Sequence, residues 1–430
     1  MTSGPVIDLG ELRHEPEPEA MPRPPRAAGR PLRCAVVLLL VLAGLAGGAP
    51  AQRRTMVVLP ARLGADALVA GDLFLVIDPF NGPGGQRRLV AYRLPGGAPA
   101  WEMTLPVEGR FWGMSSTGDA LLVTGYQGAE DARSSVTVVL DRETGAYRWQ
   151  QPGTPLELAD GSLLLESVDG ERGGTLRAVD VCCGTPRWAI DVAPRQIAYR
   201  FAPAGVDRIV LSSAEGRVEV HDAATGALRV AADLWEPVSY RNVNVQVIGD
   251  LLVTIGDYPG MVTGYDLDRL QRRWQSRVED ALYGADCGPV ICVQGRGSGL
   301  RVLDPVTGRR LWADDRWAAV WSSRGRLVAS AVSSAGPGAE RFALLDPTSG
   351  TVLGELGRWE LARPARIDDP LIGTRRHPDG GLLVAELDAG TGTVRPLDVL
   401  ADAAGDCQSS GDLLICRRAD GAYGLWWLRR

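Results

Sequence analysis

Along most of the chain, apolar residues come in short runs broken by turn residues. DLFLVI (72–77), ALLVTG (120–125), SLLLES (162–167), DRIVLS (207–212), DLLVTI (250–255), PVICVQ (289–294), RLVASA (326–331) and DLLICR (412–417) each read as a strand. Many follow a Gly-Asp or similar turn signal. A second pattern follows them. VLDRETGAYRW (139–149), VHDAATGALRV (220–230), VLDPVTGRRLW (302–312), LLDPTSGTVLG (344–354) and ELDAGTGTVRP (386–396) each hold an apolar strand, an Asp, and Thr-Gly or Ser-Gly three and four residues later. GYDLDRLQRRW (264–274) keeps the Asp and Trp without Thr-Gly, and VDVCCGTPRW (179–188) shares the register.

This unit has the chemistry of a β-turn. Asp141, Asp222, Asp304, Asp346 and Asp388 end strands, where a carboxylate accepts from amides two or three residues on. Gly145, Gly226, Gly308, Gly350 and Gly392 supply the positive φ that residues with a Cβ resist. A further strand follows, with Trp eight residues after the marker at Trp149, Trp188, Trp274 and Trp312, and Trp101 likewise after AYRLPGGAP. A large flat residue recurring once per unit is expected to pack between neighbouring units.

The markers Asp141, Asp180, Asp222, Asp266, Asp304, Asp346 and Asp388 lie 39, 42, 44, 38, 42 and 42 residues apart. Such a period in all-β sequence predicts a propeller of four-stranded blades. Arg93 fits one step earlier and Arg429 one step later, which makes nine positions. Propellers typically have no more than eight blades, so eight is expected, with nine as the literal count. The C-terminal GAYGLWWL has a third-strand pattern with no fourth strand after it, and TMVVLP (55–60) resembles the fourth strand EMTLP (102–106). The N-terminal strand is therefore expected to close the ring, which removes exposed strand edges.

One apolar run is different. CAVVLLLVLAGLAGGAPA (34–51) is uncharged and follows Arg23, Arg26, Arg30 and Arg33. Arginines before an apolar stretch keep that side cytoplasmic. Eighteen residues just span a bilayer. That makes residues 1–33, with EPEPEAMPRPPR, a disordered cytoplasmic tail, residues 34–51 a single-pass anchor and residues 55–430 an extracytoplasmic propeller. The alternative is a secretory signal cleaved after Ala49-Pro50-Ala51, with a start at Met21 leaving a short Arg-rich leader. The anchor is the expectation; either way residues 52–430 are exported, and disulfides become possible.

Composition narrows the function classes. The net charge is −6, every cation is an arginine, and no basic stripe carries interleaved aromatics, which argues against nucleic acid. His14, His221 and His377 lack metal-ligand spacing and are expected at the surface or in turns. Six of the seven cysteines lie in the exported part. ADCGPVICV (285–293) and GDCQSSGDLLICR (405–417) are versions of one hairpin, and predict Cys287–Cys292 and Cys407–Cys416 bridges worth roughly 2–3 kcal/mol each. Asp314-Asp315 and Asp368-Asp369 are expected as solvated loop charges. FNGPGGQ (80–86) lacks the Lys-Ser/Thr and helix of a phosphate loop and reads as a hairpin loop.

The strand–Asp-x-x-Thr-Gly-x-x-x-Trp unit resembles the pyrroloquinoline-quinone-like (PQQ-like) repeat, over nearly all of residues 55–430. The resemblance implies that the Trp series is the family's tryptophan docking motif. The family includes quinoprotein alcohol dehydrogenases and cofactor-free relatives, among them the lipoprotein propeller of outer-membrane β-barrel assembly, so it implies fold and not function. In the dehydrogenases a disulfide between adjacent cysteines lies against the quinone. Here Cys182-Cys183 falls on the turn between third and fourth strands, because aligning Asp180 with Asp304 puts Cys183 at the Thr position and Gly184 on the Gly. A structural turn disulfide, or surface thiols, is the expectation. The enzymes are also longer, with insertions over one face, and this chain has no Cys-x-x-Cys-His haem site.

The function expected is a membrane-tethered extracytoplasmic scaffold that binds a protein or cell-envelope component, with no cofactor and no catalysis. The alternative is a PQQ-dependent dehydrogenase. Trp112, Trp235, Trp317 and Trp321 lie outside the docking position and are expected mainly in the core, with a recognition surface as the other role.

Overall fold

The computed structural model describes residues 56–79, 86–106, 110–127, 134–169, 172–193, 196–235, 243–256, 260–295, 299–331, 339–366, 369–378 and 380–428. The expected tail and apolar span at 1–51, most of FNGPGGQ and the marker Arg429 lie outside these residues. Among the described residues every regular element is a strand, and no helix is long and apolar enough to cross a membrane. The propeller residues belong to one compact unit, Thr55–Arg430.

The strands form eight antiparallel-based sheets. Six have four strands in chain order and span residues 66–104, 110–152, 154–192, 196–233, 243–277 and 281–314. In the second, for example, Arg110–Thr117, Ala120–Gln127, Ser134–Asp141 and Tyr147–Pro152 pair as successive hairpins. The next sheet has seven strands and carries both the Asp346 and the Asp388 turns. Its central strand, Val352–Leu361, pairs with Glu340–Leu345 through its first part and with Leu371–Arg376 at its end.

The last sheet closes the ring. Ala403–Ser410, Leu413–Arg418 and Tyr423–Trp427 are joined by Val57–Leu59 as the outer strand, with Val57 opposite Leu425. Leu413 faces Trp427 as Ala120 faces Asp141. The ninth marker position is thus Trp427, two residues before Arg429. The count from sequence was thrown off there because no Asp or Thr-Gly remained to fix the register.

Apolar side chains pack between consecutive sheets. Leu75, Leu89 and Ala91 of the first meet Phe111, Leu121, Val138 and Leu140 of the second. Each fully buried Leu contributes about 2 kcal/mol relative to exposure. Both faces of a sheet are covered, so the second strands read as continuous apolar runs such as Leu73–Ile77. Several first strands contact the first strand of the following sheet, and so line the centre of the ring.

Candidate interaction surface

The five Thr/Ser-Gly turns share one construction. In each, the Asp carboxylate accepts the amide and the hydroxyl of the residue three positions on: Thr144, Thr225, Thr307, Ser349 and Thr391. These bonds hold several carboxyls below their ordinary range. Asp141 falls to about 2, chiefly through the Arg148 guanidinium and then Thr144. Asp346 falls to about 2 through the hydroxyl of Thr348 and the amide of Ser349. Asp304 and Asp388 are lowered chiefly by the backbone amides of Thr307 and Gly390.

Sequence reasoning missed an arginine in this unit. The fourth strand carries an extra residue just before the Trp position, a β-bulge seen at the Val139/Leu140, Ala178/Val179, Val220/His221 and Gly264/Tyr265 shifts. That residue is Arg148, Arg187, Arg229 or Arg273. The side chain turns back to its own marker, at 2.7 Å for Arg148–Asp141, 2.9 Å for Arg229–Asp222 and 2.5 Å for Arg273–Asp266. The signal was the Arg-Trp dipeptide at 148, 187 and 273.

The bulge also aims the tryptophan. Trp101, Trp149, Trp188, Trp274 and Trp312 each reach the turn of the next unit. Their indole N–H groups donate to the carbonyls of Arg142 (2.9 Å), Val181 (2.9 Å), Ala224 (3.1 Å), Pro305 (2.9 Å) and Pro347 (2.8 Å). The rings lie on Gly145, Gly184, Gly226, Gly308 and Gly350, where an added Cβ would come within 2.9 Å of the ring. These glycines have φ between 68° and 72°, so they serve both the turn and the close approach.

Four seams lack the tryptophan. Val230 stands at the docking position before the Asp266 turn and Gly354 before the Asp388 turn; before the closing unit Pro396 has the spacing, while register puts Arg395 opposite Glu386. Register puts Val57 at the docking position before the Arg93 turn. Beside Val230, the glycine position of the turn holds Leu270, buried and at φ 55°. Beside Gly354 lies Gly392, whose Cα and carbonyl an added Cβ at 354 would meet. Val57 lies on Gly97.

The six exported cysteines occupy two settings. Cys287 and Cys292 stand at disulfide distance across the hairpin between Ala281–Asp286 and Ile291–Gly295, with Cα atoms 5.8 Å apart. Cys407 and Cys416 do so between the first two strands of the closing sheet, at 4.1 Å. All four are buried. Cys182 and Cys183 are exposed on the turn under Trp149, with their sulfurs adjacent.

Other expectations need correction. His221 is buried, with Nδ1 3.1 Å from the Gly226 carbonyl, because the third strand carries it into the packed layer. Asp314 ends a fourth strand and pairs with Arg316 at 2.7 Å, so it is not a free loop charge. Of the four tryptophans outside the docking position, Trp317 is buried and Trp321 packs edge-on against Phe342, in line with the expected core role. Trp235 is half-buried.

Trp112 alone of these four is largely open, 47% exposed. It is the extra residue of a bulge between Phe111 and Gly113, which turns its ring out of the layer. It lies 5.9 Å from the ring of Tyr126, itself exposed. Trp112 also lines a cleft of about 310 Å³ between first strands, together with Met114, Asp66, Arg363, Asp406 and Arg417. Arg417 is fixed there: it donates to the Ala65 carbonyl (2.5 Å) and lies over the Tyr423 ring at 4.4 Å.

A quinone with its calcium ion does not fit these residues. The adjacent cysteines sit on a turn between third and fourth strands, away from the first strands that line the centre. Among the described residues, no three His, Cys, Asp or Glu side chains converge as a metal site. The cleft instead offers an aromatic wall and mixed charge.

The family model described as outer membrane protein assembly factor BamB matches residues 85–251 and 214–367. The crystal structure of BamB from Moraxella catarrhalis is 14% identical, covers 88% of this chain and 98% of that chain, and superposes with a TM-score of 0.45. A europium-containing methanol dehydrogenase is 14% identical over 77% of this chain and 83% of that one, at 0.43. A crystal structure of the eukaryotic initiation factor is 11% identical over 86% and 90%, at 0.53, and bears on the fold alone. No curated protein matches the chain.

Proposed function

The chain belongs to the PQQ-like repeat family whose model is described as outer membrane protein assembly factor BamB, and from that premise we propose that it is a non-catalytic scaffold that binds another protein or a cell-envelope component. Residues 34–51 anchor it in the membrane with the propeller outside the cytoplasm. The exposed Trp112, turned outward by its bulge beside Tyr126 at the mouth of a charged cleft, carries this reading. A large ring with one wet edge is the residue type that anchors protein interfaces. The deep bonding of the Asp turns leaves their carboxylates committed to structure.

We propose nine blades, the literal repeat count, in place of the eight expected. The seven-stranded sheet carries two marker turns, so it supplies two blades, and the closing sheet supplies the ninth.

A photo-crosslinker placed at Tyr126, beside Trp112, in the full-length membrane-bound chain tests the function. We expect a discrete crosslinked partner from 126 and none from exposed Leu228, and loss of the 126 partner when Trp112→Ala is added. Equal labelling from both positions would sink the surface. Stoichiometric quinone binding with calcium and dye-linked alcohol oxidation would replace the scaffold with the dehydrogenase.

A further inference from the structure

The Asp180 turn follows the same backbone path as its five hydroxyl-fastened relatives. Gly184 donates to the Asp180 carbonyl at 2.9 Å, and Asp180 donates to the Thr185 carbonyl at 3.0 Å. Gly184 has φ 68° and sits under Trp149. What differs is the fastening. The position that elsewhere supplies a hydroxyl to the Asp carboxylate is Cys183, preceded by Cys182. Both are exposed, whereas Cys287, Cys292, Cys407 and Cys416 are each no more than 8% exposed. Among the described cysteines, only this pair meets solvent.

Exposure decides reactivity here, because exchange requires a thiolate to reach a disulfide sulfur in line. We propose that Cys182 and Cys183 form a reversible dithiol–disulfide modification site for small disulfides of the glutathione type. One cysteine thiolate attacks a sulfur of the small disulfide, forms a mixed disulfide and expels one thiolate. The neighbouring cysteine, as thiolate, then attacks the protein sulfur of that mixed disulfide and expels the second. Two protein thiols lose two electrons, one small disulfide becomes two thiols, and the two cysteine protons pass to the released thiolates. Reduction reverses each step.

The site is wired to a seam. Trp149 donates to the Val181 carbonyl, and Gln151 Nε2 donates to the Gly184 carbonyl at 2.6 Å. Closing a ring across two adjacent residues fixes the peptide between them, and with it the backbone on which Trp149 rests. In the five relatives a Thr or Ser hydroxyl provides that restraint permanently. Here the redox state provides it.

The test uses the full-length chain in detergent. It is reduced without denaturant, freed of reductant and exposed to oxidised glutathione. Differential alkylation with peptide mass mapping then follows each cysteine separately. We expect Cys182 and Cys183 to take two alkyl groups after reduction and none after glutathione treatment, with no retained glutathione. Cys287, Cys292, Cys407 and Cys416 should stay unlabelled until the protein is unfolded. Phenylarsine oxide should bind the reduced pair one to one and block its alkylation. Cys183→Ser should trap one glutathione on Cys182.

Hydrogen exchange across residues 147–152 should slow at least two-fold on oxidation. Cys183→Thr, which restores the hydroxyl, should exchange slowly across 147–152 whether or not Cys182 carries glutathione. A pair that stays unlabelled after reduction overturns the proposal. So does a reduced pair that remains alkylatable after glutathione, or that keeps two glutathione adducts. A Cys183→Thr protein that still responds in 147–152 removes the link to the seam.

Discussion

The seams of this ring come in two kinds. At Trp101, Trp149, Trp188, Trp274 and Trp312, one indole lies on one glycine and donates to one carbonyl of the next turn. The seams at Val230, Gly354, Pro396 and Val57 have no such knob, and each is bridged by hydrogen bonds at or near the first strands. Gln196 both donates to the Val243 carbonyl (2.7 Å) and accepts from Val245 (3.2 Å). Gln408 does the same to Ala67 (2.8 Å) and Val69 (3.0 Å). Beyond Pro396, Arg363–Pro364 pairs in parallel with Gln408–Ser409. At Gly354 the strand itself is shared between neighbours. The Trp274 seam has both devices, since Gln246 also reaches Gly284 at 2.6 Å. The difference teaches that the repeat requires a bond between neighbours but not one fixed residue. Apolar packing at the outer turn and amide bridging at the centre are alternative ways to join two blades.

The Val230 seam explains its own exception. Leu270 fills space beside Val230 and accepts a left-handed backbone to do so, which costs about 1–2 kcal/mol for a residue with a Cβ. The Trp-on-Gly pair has become a Val-beside-Leu pair. Ion pairs across the same seam, Arg200–Asp250 at 3.0 Å and Arg208–Asp268 at 3.8 Å, add to it.

These contrasts can be broken directly. Trp274→Ala removes a buried indole and should lower unfolding free energy by about 3–5 kcal/mol in denaturant titration. Pro396→Ala, at a seam without a knob, should cost far less; equal losses would erase the distinction. Gly308→Ala places a Cβ against the Trp274 ring at φ 69° and should cost about 2–3 kcal/mol. Val230→Trp and Leu270→Gly should each destabilise alone and recover together, with a coupling of about 1–3 kcal/mol in a double-mutant cycle. Additivity would show that the two seam types are not interchangeable.

Acid gives a smaller and graded effect. The carboxyls of Asp141 and Asp346 ionise at about 2 in the folded chain, against 3.8 ordinarily. Their contribution is present above pH 4 and is lost as pH falls from about 4 to 2. Thermal unfolding across that window should show the loss, and Asp346→Asn should flatten part of it. The smallest effect is ionic. Salt should weaken the Val230 seam by less than about 1 kcal/mol and leave the Trp312 seam unmoved, read by local hydrogen exchange.

Much of the fold was legible because its unit repeats. Asp141 to Gly145 shows the turn, Trp149 the seam, and Val57–Leu59 the missing fourth strand. What escaped had no repeated signal. Leu270 is an ordinary residue until its partner Val230 is known. Gln196 and Gln408 are isolated amides in strands whose neighbours come from other parts of the chain. Trp112 stood out as a tryptophan off the docking position, but its exposure depends on a bulge that no local pattern marks. His221 read as a surface or turn residue because it adjoins the Asp222 turn, and its burial is set by the facing sheet.

The strand Val57–Leu59 places a demand on assembly. Its partner, Tyr423–Trp427, lies at the far end of the chain. A ribosome delivers the first strand long before the groove that receives it. Until the last segment emerges, the early strand has no mate and the late sheet keeps an open edge, so every other blade can form while the circle stays unlatched. The late strand Tyr423–Trp427 then decides whether the whole ring is sealed.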